Sequence, residues 1–90
     1  MNLKNIQTEV DASFLYGLLA EKEEDQNVKE VFLQMSEIEK SHAVAFLQKV
    51  GLTEKDMPQP STRAKILKKI GGILGYDYIL GVLMDTEKSL

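Results

Sequence analysis

The chain contains no cysteine, which removes disulfides, cysteine-bound zinc, iron–sulfur clusters, thiol nucleophiles and c-type haem attachment from consideration. Tryptophan is absent too, and two prolines and six glycines are too few for a disordered segment. No apolar run reaches the roughly 20 residues of a membrane span, because Lys68, Lys69 and Asp77 interrupt the most apolar stretch, Ile66 to Met84. Met1 to Glu9 lacks the apolar core of a signal peptide, so a cytoplasmic location is expected. Basic charge is scarce: eleven Lys+Arg against fourteen Asp+Glu give a net charge of −3. General nucleic-acid binding needs a basic footprint on phosphates, and no nucleic-acid partner is expected. At 90 residues the chain is one small domain that buries only about 60–65% of its unfolded surface. With disulfides excluded, a metal or a second chain remains to supplement its core.

What is present is helical periodicity. From Asn2, a candidate N-cap, to about Glu24, the positions Ile6, Glu9, Ser13, Tyr16 and Ala20 step by three and four. Leu3, Val10, Phe14 and Leu18 widen that stripe. The acidic cluster Glu21 to Asp25 leads to a break, with Asp25 or Asn27 capping a second helix over about Val28 to Val50. Its stripe is Val28, Phe32, Met35, Glu39, His42, Phe46 and Lys49, and Gly51 is its C-terminal stop. The short connection makes the two helices antiparallel neighbours. Thr53 to Asp56 reads as a capped single turn, and Met57-Pro58-Gln59-Pro60 as a stiff linker. Ser61 caps a short basic helix with Arg63, Lys65, Lys68 and Lys69 on one side and Ile66, Leu67 and Ile70 on the other, weakened by Gly71, Gly72 and Gly75. A last apolar segment runs from Tyr78 to about Lys88. The class is all-α: a helical hairpin over residues 1–51, a proline-containing linker over 52–61, and short basic or apolar helices over 62–90.

Polar residues on the two apolar stripes carry the chemistry. Glu39 and His42, at i and i+3, project from one face, so a carboxylate and an imidazole can converge on one cation. A carboxylate buried without a partner costs several kcal/mol, about what a bound cation would offset. Glu9 is the corresponding anomaly of the first helix. Pairing the helices about a turn near Glu24-Asp25 matches position 9 with position 40, which brings Glu9 level with Glu39 and His42. Tyr16 lies about 10 Å further along the axis; it reads as a packing tyrosine, or as a hydroxyl donor to the carboxylates. Oxygen plus imidazole ligation suits iron or manganese, and zinc less exclusively. Two carboxylates and one histidine are half of a carboxylate-bridged dimetal site, which takes four carboxylates and two histidines from four helices. Two hairpins related by a two-fold axis would supply the whole set.

Glu9, Tyr16 and the run Glu39-Lys40-Ser41-His42 resemble one half of a ferritin-like, rubrerythrin-type di-iron protein over roughly residues 3–50. The similarity extends to half-ferritins that dimerise, encapsulated ferritins among them, and to the ferritin-like domain of some vacuolar iron transporter family members. That resemblance implies a homodimeric four-helix bundle, or a higher oligomer of such dimers, holding two irons per dimer. Glu9 and Glu39 would be the carboxylate ligands and His42 a terminal ligand. The implied activity is oxidation of Fe(II) to Fe(III) by oxygen or peroxide, for storage, detoxification or delivery, with manganese or zinc as substitute ions. It further implies an encapsulating shell or a membrane transporter domain as partner, the latter placing the chain at the cytoplasmic face of a membrane. In that case residues 62–90 would begin a longer natural chain, with Glu87 as a third-helix ligand. The chain departs from full-length relatives in having one Glu-x-x-His and no cysteine-based electron-transfer module.

Plainer readings stand beside these. Glu39 and His42 also fit an i,i+3 ion pair at the stripe edge, and the acidic turn a solvated loop. The whole chain also fits a non-catalytic helical interaction module, membrane-associated through its basic third helix, with its polar stripe residues specifying register.

Overall fold

In the computed structural model, which describes residues 3–88 and the side chains of residues 5–85, local capping chemistry sets most helix ends. Helix α1 spans Leu3–Lys22. Helix α2 spans Gln26–Lys49 and starts at Asp25, whose side chain accepts from the N–H groups of Asn27 and Val28. That cap lies ahead of the expected Val28 start, and α1 stops two residues short of Glu24. The early stop leaves Glu23 and Glu24 in the connection, where the Asp25 N–H donates to Glu23 Oε1 at 3.1 Å. At its far end α2 closes in a Schellman motif: Gly51, at φ +82°, donates to the Gln48 carbonyl at 3.1 Å, and Leu52 to that of Leu47 at 2.9 Å. Thr53 and Asp56 cap each other around a single 3-10 turn, Glu54–Asp56. Helix α3 spans Thr62–Leu74, with Ser61 as its N-cap, and helix α4 spans Tyr76–Lys88. Asn2, the expected cap of α1, lies outside the described residues, as do the side chains of Leu3 and Glu87.

The first two helices pack as the antiparallel hairpin that their stripes predict. Ser13 Oγ donates to the Ser36 carbonyl and Ser36 Oγ to the Ser13 carbonyl, both at 2.8 Å. At Gly17 a Cβ would stand 3.6 Å from Ser36 Oγ, an ordinary contact, so the approach of the helices at this level rests on the two serines and not on the glycine. On one side of this contact Ile6 and Val10 pack on Ala43 and Leu47. On the other, Tyr16 is fully buried and stacks with Phe32 at 6.4 Å between ring centroids. Burial of these apolar side chains is the main favourable term holding the hairpin.

Helix α1 buries a second face, carrying Ala12, Leu15 and Leu19, against Leu67 of α3 and Ile79 and Leu83 of α4. The linker runs back along α1 and is fixed there by polar contacts. Gln7 Nε2 donates to the Gln59 carbonyl at 2.9 Å, and Asp11 accepts from the Ser61 N–H at 2.8 Å and from the Ser61 hydroxyl.

Two expectations for the basic helix change. Gly71 and Gly72 do not weaken its end; α3 continues through them to Leu74 and stops at Gly75, at φ +102°. Gly71 is buried, and a Cβ there would collide with Ile79 Cδ1, so the missing side chain is what lets α4 fold onto α3. The buried face is Ala64, Leu67 and Gly71. Ile66, expected on the inner side, is half exposed, because small residues permit a closer approach to α1 and α4 than a branched side chain would.

Among the described residues no helix is long and apolar enough to cross a membrane.

Candidate metal centre

Glu9 stands on the edge of α1 that borders α2, one turn before the Ser13–Ser36 contact. Glu39 and His42 stand one turn apart on the facing edge of α2. The structure therefore brings together the three residues that stripe polarity singles out. His42 Nδ1 lies 3.2 Å from Glu9 Oε2 and 3.9 Å from Glu39 Oε1. One oxygen of each carboxylate and one ring nitrogen all fall within 4.8 Å of one another. The side chains of Glu9 and Glu39 are 13% and 15% exposed, whereas that of His42 is 52% exposed. The cluster is thus walled by protein behind the carboxylates and open in front of the imidazole.

This donor set fits a divalent first-row cation. Donors bound at about 2.1 Å to one ion stand about 3–4 Å apart, which is the spacing of His42 Nδ1 from the two carboxylates. Two hard oxygens and an imidazole, with no sulfur, match the preference of iron and manganese and accept zinc. Tyr16 lies on the same edge of α1, two turns beyond Glu9, wholly buried against Phe32. Glu37, two positions before Glu39, is exposed on another side of α2.

An apolar seam continues from the open side of this cluster. Val28, Val31, Met35, Ile38 and His42 follow one another along α2 at alternating steps of three and four, the spacing by which one helix meets another. Val28, Val31 and Ile38 are 39%, 50% and 51% exposed. Met35 is partly buried against the cluster around Tyr16, so the seam is uncovered at Val28, Val31 and Ile38, and the exposed His42 lies at its end.

Sequence reasoning overlooked Asp11. It stands two residues after Glu9 on the opposite side of α1 and ties that helix to the start of α3, accepting from Gln7 Nε2 at 2.9 Å as well as from Ser61. Its one sequence signal is a carboxylate within the otherwise apolar set Ala12, Leu15 and Leu19. Ser13 lies on the stripe that periodicity marks as inward, but its partner Ser36 does not belong to the expected stripe of α2, so the pair itself was not legible.

The family model described as Rubrerythrin matches residues 3–70, which covers α1, α2, the linker and most of α3. No curated protein and no solved structure gave a significant match.

Proposed function

This chain belongs to the Rubrerythrin family, and from that premise we propose that two copies pack seam to seam to complete a di-iron site that oxidises Fe(II). The ferritin-like all-α fold and the carboxylate–histidine cluster agree with an iron-binding protein of that family. The observation that carries the finer reading is the placement of His42. It belongs at once to the three-donor cluster and to the uncovered seam of α2, so a partner packed on the seam also closes the open side of the cluster. An isologous contact whose two-fold axis passes beside His42 would set each chain's Glu9, Glu39 and His42 opposite those of its partner. The pair then offers four carboxylates and two imidazoles, the set a di-iron bundle uses.

Iron is the substrate in this reading. Two Fe(II) ions each give up one electron, and dioxygen takes both electrons with two protons and leaves as hydrogen peroxide. Where peroxide is the oxidant, the same electrons and protons convert it to two waters. The work of the chain is electrostatic and geometric. Glu9 and Glu39 bring negative charge that favours the more highly charged ferric product, and the walls behind them keep those carboxylates in place. His42 Nδ1, 3.2 Å from Glu9 Oε2, would supply the nitrogen donor to the ion. In this reading the buried Tyr16 would support a ligating carboxylate through its hydroxyl, as polar groups behind metal ligands commonly do. Manganese or zinc would occupy the same donors without that turnover.

The test is anaerobic Fe(II) titration of metal-free protein followed by dioxygen, reading iron bound per chain, ferric absorbance and molecular mass together. Binding of about one iron per chain, coupled to dimer mass and to oxidation that Glu39→Ala abolishes, is the expected result. An absence of saturable binding would make Glu9, Glu39 and His42 a structural ion-pair cluster and overturn the proposal.

A further inference from the structure

Residues 62–78 hold four of the eleven basic residues and one of the fourteen acidic ones, Asp77. This segment therefore carries +3 in a chain of net −3. Helix α3 buries Ala64, Leu67 and Gly71. At 100° per residue its opposite side carries Ile66 and Ile73, seven residues apart, with Lys65 and Lys69 alongside them. Ile73 is 83% exposed and Leu74 66% exposed, more than any other large hydrophobic among the described residues. Both sit where α3 turns into α4, flanked by Gly72 and Gly75, around which there is open space. Tyr78, half exposed, continues the patch into α4. Among the described residues no ion pair engages Lys65, Lys68 or Lys69.

The surface is thus a projecting aliphatic corner beside unneutralised lysines. We infer that the α3–α4 corner docks on an anionic lipid bilayer, with Ile73 and Leu74 entering the boundary between headgroups and acyl chains and Lys65 and Lys69 meeting acidic headgroups. Charge complementarity selects this occupant. Amphipathic helices with lysines beside exposed aliphatic residues bind interfaces by adding apolar burial to attraction for anionic lipid. The positive corner lies in a chain whose remaining residues are net acidic, so a negative surface attracts the corner and repels the rest, which fixes the orientation. A second copy fits less well, because an isologous contact through this face would set its lysines against one another. The corner shares no residue with the metal centre or with the α2 seam, so this inference stands apart from the iron proposal.

Flotation with vesicles tests it, using phosphatidylcholine alone and phosphatidylcholine with phosphatidylglycerol. The protein is expected to float with the anionic vesicles at low salt, not with the neutral ones, and to release as salt screens the attraction. Lys65→Ala and Lys69→Ala should each weaken partition about fivefold. The double variant Ile73→Ser/Leu74→Ser should weaken it at least tenfold while its circular dichroism and melting temperature stay those of the parent. Glu39→Ala should bind vesicles as the parent does. Equal partition to neutral and anionic vesicles, or binding that survives loss of both lysines, would overturn the inference. So would an absence of vesicle binding together with a fall in sedimentation mass on Ile66→Ser/Ile73→Ser, which would assign the face to a second copy.

Discussion

Replacing Glu39 by glutamine separates a metal centre from a structural ion pair, because the two readings give opposite signs in metal-free protein. One carboxylate oxygen each of Glu9 and Glu39 lie within 4.8 Å of each other, on side chains that are mostly but not wholly withdrawn from solvent. Two like charges at that separation repel by about 1 kcal/mol in water and about 3–4 kcal/mol at the dielectric of a protein surface. A glutamine amide in place of the Glu39 carboxylate would keep the size of the side chain and remove the repulsion. The metal-free variant is therefore expected to be as stable as the parent or about 1 kcal/mol more stable. Metal reverses the order. Anaerobic Fe(II), or redox-silent Mn(II), at a hundred times its dissociation constant adds about 2.7 kcal/mol to the parent, or about 10–20 °C in melting temperature for a domain of this size. A site weakened a hundredfold by loss of one donor gains only about 0.4 kcal/mol at the same concentration. Differential scanning calorimetry of both proteins, with and without metal, reads all four values. If Glu39→Gln lost more than about 1 kcal/mol without metal and the parent gained nothing with it, the cluster would be a stabilising ion pair and the metal argument would fail.

Other perturbations follow from the packing. Gly71→Ala should destabilise by about 1–3 kcal/mol despite alanine's better helix propensity, since its Cβ meets Ile79 Cδ1; urea unfolding should show the loss, and adding Ile79→Val should return part of it. Asp11→Ala removes a charged acceptor from Ser61 and should cost about 2 kcal/mol, with amide exchange quickening first in the linker and the start of α3. Val31→Glu/Ile38→Glu places charge on the uncovered seam, and sedimentation should then report a monomer with α-helical content unchanged and iron oxidation lost.

Legibility from sequence divides along physical lines. Caps depend on one or two neighbouring residues, so Gly51, Thr53 and Ser61 could be read directly as helix ends and the start of α2 narrowed to Asp25 or Asn27, of which Asp25 is the cap. Glu9, Glu39 and His42 were conspicuous because each interrupts an apolar stripe, and antiparallel pairing alone set them at one level. The docking of α3 and α4 was not legible. Helix α1 is apolar on two sides, and periodicity does not say which neighbour takes which side. The choice of Ala64 and Gly71 over Ile66 as the inner face of α3 depends on how closely the backbones approach, which no residue pattern encodes. Asp11 escaped notice for a related reason: its partner, Ser61, lies fifty residues away.

The two-sided burial of α1 bears on how the chain acquires its structure. A hairpin of α1 and α2 alone can form by local contacts and so can form early. At that stage Leu15 and Leu19 still lack their partners Leu67, Ile79 and Leu83. During synthesis the carboxylates and imidazole would thus be assembled on a half-dressed helix that remains adhesive until α3 and α4 emerge and fold over it. A version ending at Gly51 would keep Glu9, Glu39 and His42 together and lose solubility, and transplanting that cluster into another scaffold means carrying the second face of α1, or repainting Ala12, Leu15 and Leu19 with polar side chains.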